Sequence, residues 1–281
     1  ELVKPNKELP GERHEGGIVE NIDYAQISEA IRDAARLKTL PLSIKFMKNS
    51  GNFPEKTRRP SKDLGKRVTI CQAVSMARIY GWTIGLTKED LICVPAMIAF
   101  GFSGAEDSRS TLGELFCEVG FHPEAGAAAD EADSMCKFDN DEYPAILIAP
   151  LAKGLVEPDT VAFYGNPAQI MRLSQAVVHA FGKRIAGSFG GKVECTEYLV
   201  APFKTAAPRI AIPGLGDRVF SATQDEELVL SIPGRLLLPM VRSLNVVGKK
   251  VGLRYPVPSY LNFQPEFPPI YMETAEKLKL F

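Results

Sequence analysis

The chain has 281 residues, a formal charge of −1, and 45% hydrophobic and 24% charged residues, the make-up of an ordinary globular protein. A charge so close to zero gives no long-range field to draw the chain onto nucleic acid or an acidic membrane, and neither is expected as a partner. The longest apolar run, Leu91 to Phe102, contains a proline and falls well short of the ~20 residues that span a bilayer. The N-terminus has no apolar signal-peptide core, and five cysteines, an odd number on a long chain, do not make a secreted disulfide framework; the expected location is the cytoplasm.

Residues 1–21, with Pro5, Pro10 and Gly16-Gly17, read as an extended arm. From Tyr24, apolar residues recur at helical spacing until Pro41. Leu42 to Phe46 alternates like a half-buried strand, and residues 48–67, rich in Lys, Arg, Pro and Gly, read as a solvated loop. A helix is expected over Cys71–Tyr80, a strand over Leu91–Phe100, and a helix over Ala127–Met135. Residues 104–121 carry no pattern that can be matched. The apolar run Ala145–Ala149 and the segment Thr160–Phe163 read as strands. Asn166 and Pro167 open a helix that Gly182 ends, because asparagine accepts from free first-turn amides, proline has no amide to leave unpaired, and glycine tolerates a left-handed stop. Strands are expected at Val193–Val200, Arg209–Ile212, Arg218–Phe220 and Leu228–Ile232, and a last helix around Met240–Leu244. The segment 251–281 is rich in proline and aromatics and reads as an ordered arm, lying on its own domain or on a neighbouring subunit; a homo-oligomer is expected.

Two segments look alike. Gln72-Ala73-Val74 with Ala77 matches Gln175-Ala176-Val177 with Ala180. Each follows a strand ending in Phe (Phe46, Phe163) and leads through a glycine (Gly81, Gly182) and an isoleucine (Ile84, Ile185) to a cysteine. Cys93 lies twenty-one residues after Gln72 and Cys195 twenty after Gln175. The fold class expected is therefore α/β or α+β: internally duplicated β-α-β units about a pseudo-two-fold, with a mixed sheet. The first repeat covers about 40–102 and the second about 158–204, within a globular unit spanning 22–250. Cys93 and Cys195 are expected in matching places.

Several motifs carry a family resemblance: Pro41-Leu42-Ser43-Ile44-Lys45-Phe46; Cys71-Gln72-Ala73 with Ala77-Arg78; Glu89-Asp90-Leu91-Ile92-Cys93; Ala149-Pro150-Leu151; Tyr164-Gly165-Asn166-Pro167-Ala168-Gln169; and Pro213-Gly214-Leu215-Gly216-Asp217-Arg218-Val219-Phe220. Between about residues 40 and 260 the chain resembles the prokaryotic family known as domain of unknown function 169, found in archaea and anaerobic bacteria. That resemblance implies no activity.

Cys71, Cys93 and Cys195 lie in these motifs or in the repeat, whereas Cys117 and Cys136 do not. Cys71 begins a helix, where unpaired amides favour a thiolate. If the repeats face one another, the three sulfurs converge with no evident fourth, a donor set suited to a [4Fe–4S] cluster with one open iron or, as a second choice, to zinc with an open site. No CxxC spacing is present, and inert core thiols or a reactive thiol pair are the alternatives. Arg78, seven residues after Cys71 and on the same helix face, is a candidate for pairing a ligand anion, with a structural ion pair as the alternative. If Cys195 lies in a strand, Glu197 shares its face and Glu194 points away, which makes Glu197 the acid–base candidate. Gly214 to Arg218 forms a turn that can approach a ligand or close a hairpin. The functional expectation is an iron–sulfur- or metal-binding protein of anaerobic metabolism, acting on a small anionic molecule at a three-cysteine site bearing Cys71, Cys93, Cys195 and Arg78. The rival is a non-catalytic small-molecule-binding or accessory protein whose cysteines only pack.

Overall fold

The structure is a computed structural model that describes residues 22–103, 108–250, 255–256, 261, 263 and 266–280, with the side chains of residues 108–110, 249 and 250 left aside. The expected arm at 1–21 lies outside the described residues. So does much of 251–268, and with it most of the expected C-terminal arm up to its final helix.

In chain order the elements are α1 (Tyr24–Ala35), β1 (Leu42–Met47), α2 (Pro60–Asp63), α3 (Ile70–Tyr80), β2 (Ile84–Leu86), α4 (Val94–Ala99), α5 (Ser108–Glu118), α6 (Ala125–Ser134), β3 (Ala145–Pro150), β4 (Thr160–Gly165), α7 (Pro167–Phe181), α8 (Ala201–Thr205), β5 (Arg209–Ala211), α9 (Leu215–Phe220), β6 (Leu228–Pro233), α10 (Leu237–Lys250) and α11 (Pro269–Leu278). A π-helical turn, Thr196–Val200, runs straight into α8. The caps follow local chemistry. Thr69 and Gln72 form a reciprocal capping box at the start of α3, and Gly81 ends it at φ 70°. Asn166 and Gln169 do the same for α7, with Pro167 at its first position and Gly182 closing it at φ 75°.

All six strands form one sheet in the order β2-β3-β1-β4-β6-β5, antiparallel throughout. The expected mixed sheet is therefore not found among these six strands, and parallel pairing is confined to the isolated bridges Arg58–Ile84, Val68–Leu91 and Ala186–Arg209. The crossovers do bring β2 parallel to β1, and β5 parallel to β4, but each leaves a gap of one strand. β3 and β6 fill those gaps, and every adjacent pair becomes antiparallel. Each half thus lays its first strand at the centre, its second at the edge and its third between them.

Side-chain alternation divides the core between the two faces of the sheet. Leu42, Ile44, Phe46, Ala162 and Tyr164 face α3, α4 and the helical stretch 196–205. Val161, Phe163, Leu230 and Ile232 face α1, α7 and α10. With both faces covered, β3 and β4 are buried at every position, which explains why Ala145–Ala149 reads as an unbroken apolar run. Helices α5 and α6 pack on each other with their own small cluster around Leu112, Phe116, Ala128 and Ala132. A Cβ at Gly113 would stand 2.9 Å from the Cα of Ala129, so glycine is what permits this close crossing.

Because α3 and α7 cover opposite faces, the expected pairing of the helix carrying Gln72 with the one carrying Gln175 does not carry over. The glutamine that does in α7 what Gln72 does in α3 is Gln169, at the third position of each helix. Three expected strands are also helical. Pro95 falls in the first turn of α4, where its missing amide costs nothing, so Leu91–Phe100 turns into a helix after Cys93. Val193 adopts φ 55°, which ends any extended run before the helical stretch 196–205 begins. Asp217 accepts from the Gly214 amide at 3.1 Å and starts α9 where a hairpin strand was expected.

Candidate functional site: a cavity lined by three cysteines

A cavity of about 390 Å³ opens on the α3 side of the sheet, and its walls include Cys71, Cys93 and Cys195. Each sulfur is carried at or next to a helix start: Cys71 in the first turn of α3, Cys93 immediately before α4, and Cys195 immediately before the π-helical turn. A fourth helix start, that of α9, supplies Leu215, Gly216 and Asp217 to the same wall. The remaining lining is chiefly apolar, with Val94 and Pro95 from α4, and Leu115, Phe116, Val119 and Phe121 from α5 and its exit. Val94, Val119, Leu215 and Phe220 are exposed large side chains at the same site.

The thiols are held neutral. Burial raises the Cys71 thiol to about 12, with Asp217 and Cys93 adding to the effect while the Thr69 hydroxyl, 3.0 Å from Sγ, and the Gln72 amide oppose it. Cys195 is pushed well up, first by burial, then by Cys93, Asp217 and Cys71. Burial also raises Cys93, against an amide from Ala96. Two carboxyls share the wall. Asp217, 4% exposed, accepts from the Tyr198 hydroxyl at 2.7 Å, yet burial outweighs its donors and lifts it above the usual carboxylate range. Glu194 accepts from the amides of Gly190 and Gly191 at 2.6 and 2.7 Å and is likewise raised by burial.

Among the described residues one cation reaches the cavity wall, that of Lys192. Its ammonium lies 4.7 and 4.9 Å from the ring centres of Phe116 and Phe121 and 2.5 Å from Glu131 of α6. His122 bonds the same carboxylate oxygen at 2.7 Å. Burial alone would raise Glu131, but Lys192 and His122 together hold it below the ordinary value.

The structure thus brings the three sequence-selected cysteines to one cavity but leaves Arg78 outside its lining. Arg78 is 1% exposed and pairs with Glu227 through two bonds of 2.6 and 3.0 Å, while Tyr164 stacks under its guanidinium at 4.1 Å. The two glutamates exchange the roles expected of them. Glu194 lines the cavity, and Glu197 accepts from the Ser188 amide and faces Arg209, because the segment is helical and the two-residue alternation does not apply. Arg218 turns away to the Gln224 carbonyl, and His179 bonds Ser243. Cys117 and Cys136 do not line the cavity. Thr69 was missed, though Thr-x-x-Gln before an apolar run is a signal that could have found it, whereas nothing in the sequence pointed to Lys192 or the Phe116–Phe121 cage.

A family model, domain of unknown function 169, described as uncharacterised ArCR, matches residues 30–243. The chain belongs to this family. Like its family, the relative matched is uncharacterised: a protein of Methanocaldococcus jannaschii, 24% identical over 227 residues, which cover 79% of this chain and 95% of that protein. No solved structure matches this member of the family. Among the described residues no helix is long and apolar enough to cross a membrane.

Proposed function

We propose that the chain binds a [4Fe–4S] cluster through Cys71, Cys93 and Cys195, leaving one iron open to a small anionic molecule. The observation that carries this reading is that three sulfurs far apart in sequence line one cavity, each at or next to a helix start. Thiols lifted as far as Cys71 and Cys195 are poor nucleophiles on their own, and this disfavours a free reactive pair. A metal centre supplies the positive charge that such thiols need before they ionise. Between the two metal readings, zinc gathers its thiolates about a single ion at ~2.3 Å. Among the described residues no group of three His, Cys, Asp or Glu side chains is placed to hold a metal ion, so the sulfurs must shift for either centre; a cluster, which spreads its thiolates over separate irons, is the wider of the two. When bound, it would supply a Lewis-acidic iron.

The chain's own groups divide the remaining work. Lys192 reaches the wall, where Arg78 was expected, but its charge is already paired with Glu131 at 2.5 Å. Asp217 and Glu194, both raised by burial, bring carboxyls to the wall, and Phe116, Val119 and Phe121 make one side of it apolar. The apolar lining favours one rival, a metal-free pocket for a small molecule. Anaerobic purification separates the two. The expected protein has broad absorbance near ~400 nm and about four irons per chain. Alanine at Cys71, Cys93 or Cys195 should abolish both features, and alanine at Cys117 or Cys136 should leave them. A colourless protein with zinc selects the second metal, and a colourless, metal-free protein refutes metal binding altogether.

A further inference from the structure

Two apolar surfaces of the chain lie open. One is the mouth of the cavity, where Val94, Val119, Phe121, Leu215 and Phe220 are 43–60% exposed. The other is α11. Tyr271, Ala275 and Leu278 follow at helical spacing and form a stripe, with Ile270 and Met272 beside it and Glu273, Glu276 and Lys277 on the opposite side. A helix patterned in this way buries its stripe against a partner. Yet Ala275 is the one buried residue of α11, and Ile270, Tyr271, Met272 and Leu278 are 45–64% exposed. Phe267, stacked on Tyr271 at 5.8 Å, extends the same open surface.

Folding of a single chain covers neither surface, and the course of the chain explains why. Helix α10, the last element before α11, packs on the α1–α7 side of the sheet, whereas the cavity opens on the α3 side. The α11 of the same molecule would have to be carried round the sheet to reach the mouth; that of a second molecule approaches it from outside. The areas suit such a pair. Half-exposed side chains of this size leave on the order of 100 Å² each, so one helix seated on one mouth hides up to about 1,000 Å². A reciprocal pair hides about 2,000 Å², which exceeds the ~1,600 Å² of a typical stable interface.

We propose that α11 of a second copy of the chain seats on the mouth of the cavity, with its Tyr271–Leu278 stripe against Val119 and Leu215, and that the exchange is reciprocal. Both copies then present the same helix and the same mouth, which makes the interface isologous and closes the assembly at two. Each copy completes the wall of the other's cavity. The proposal is independent of whether the thiols hold a metal.

Light scattering over a range of concentrations tests this on the purified full chain. Wild type is compared with a helix variant, Tyr271→Glu with Leu278→Glu, and a mouth variant, Val119→Glu with Leu215→Glu. All four positions are more than half exposed, and circular dichroism checks that each variant keeps the fold. Wild type should have twice the mass of one chain, and both variants the mass of one. In iron-free, reduced protein, Cys93 on the cavity wall should react with a thiol reagent faster in the helix variant than in wild type, measured against Cys136, which lies outside the lining. A wild type of single-chain mass overturns the exchange, and this needs no variant to fold; if the helix variant still frees its Cys93, the molecule's own α11 is the cover. A dimer that survives in the helix variant overturns the role of α11. One that survives in the mouth variant overturns the mouth as its seat, as does loss of the dimer with no change at Cys93.

Discussion

Replacing Glu227 by alanine would leave the guanidinium of Arg78 inside the protein without its counter-charge. The Arg78 side chain is 1% exposed, and Glu227 holds it through two charge-assisted bonds. Removing one partner of such a pair costs about 3–5 kcal/mol, because the remaining charge stays buried. The Tyr164 ring at 4.1 Å and the Thr223 hydroxyl at 3.4 Å retain part of the solvation, so the lower end, about 3 kcal/mol, is expected. At ~2–4 °C per kcal/mol for a chain of this size, the midpoint of thermal unfolding should fall by roughly 10 °C. The reverse change, Arg78→Met, strands a glutamate whose side chain is 11% exposed and still accepts from the Gln224 amide at 2.9 Å, so about 1–2 kcal/mol is expected. The double variant Arg78→Met with Glu227→Leu should recover most of the loss, as apolar replacement of a buried pair often does. Urea unfolding followed by circular dichroism measures all three variants. If Arg78→Met costs more than Glu227→Ala, or if the double variant is the least stable, Arg78 is not serving as one half of a buried structural pair.

Two further outcomes follow from other sites. Burial would raise Asp90, but the Ser61 hydroxyl, Arg59 and the Thr87 amide outweigh it and hold its pKa below 3.8. The unfolded chain therefore takes up this proton first as pH falls, so the contribution of Asp90 is complete above about pH 4–5 and is lost at lower pH. Asp90→Asn should lower stability at pH 7 by about 1–3 kcal/mol and flatten the acid limb of the stability profile, as read by urea midpoints between pH 2 and 7; an unchanged acid limb would contradict the assignment. Lys192→Met removes the polar tie between the α5–α6 hairpin and the cavity wall. In iron-free, reduced protein, the buried thiols of Cys71 and Cys195 should react with a thiol reagent about tenfold faster, corresponding to ~1.4 kcal/mol of lost closure. Unaltered rates would mean that the hairpin is held by its apolar contacts alone.

The elements legible in the sequence were those with local punctuation. Asn166-Pro167 and Gly182 bracket α7 at both ends, Pro41 precedes β1 and Pro150 ends β3, because caps and stops act within a few residues. Strands β1, β3, β4, β5 and β6 were legible from apolar runs. The helices α4, α9 and 196–205 were not, since short apolar segments fit either periodicity until a proline position or a backbone turn decides. Cys71, Cys93 and Cys195 do line one cavity, but the repeat from which their meeting was expected does not carry over. The likeness of Gln72 to Gln175 pairs helices on opposite faces of the sheet. The amides of Ile92 and Leu215 bond the distant carbonyls of Val68 and Gly191, contacts that leave no mark in residue type. Lys192 was equally hidden, since a lysine after two glycines reads as surface until Phe116 and Phe121 close over it.

The walls of the cavity come from residues as far apart as Thr69 and Phe220, which sets an order of events during biosynthesis. A nascent chain that has left the ribosome only as far as β3 already owns Cys71 and Cys93, but its strand β1 still lacks β4 beside it, and Cys195 has yet to be translated. The cavity is therefore complete only after the last of its walls has emerged and docked, and it cannot form on a growing chain.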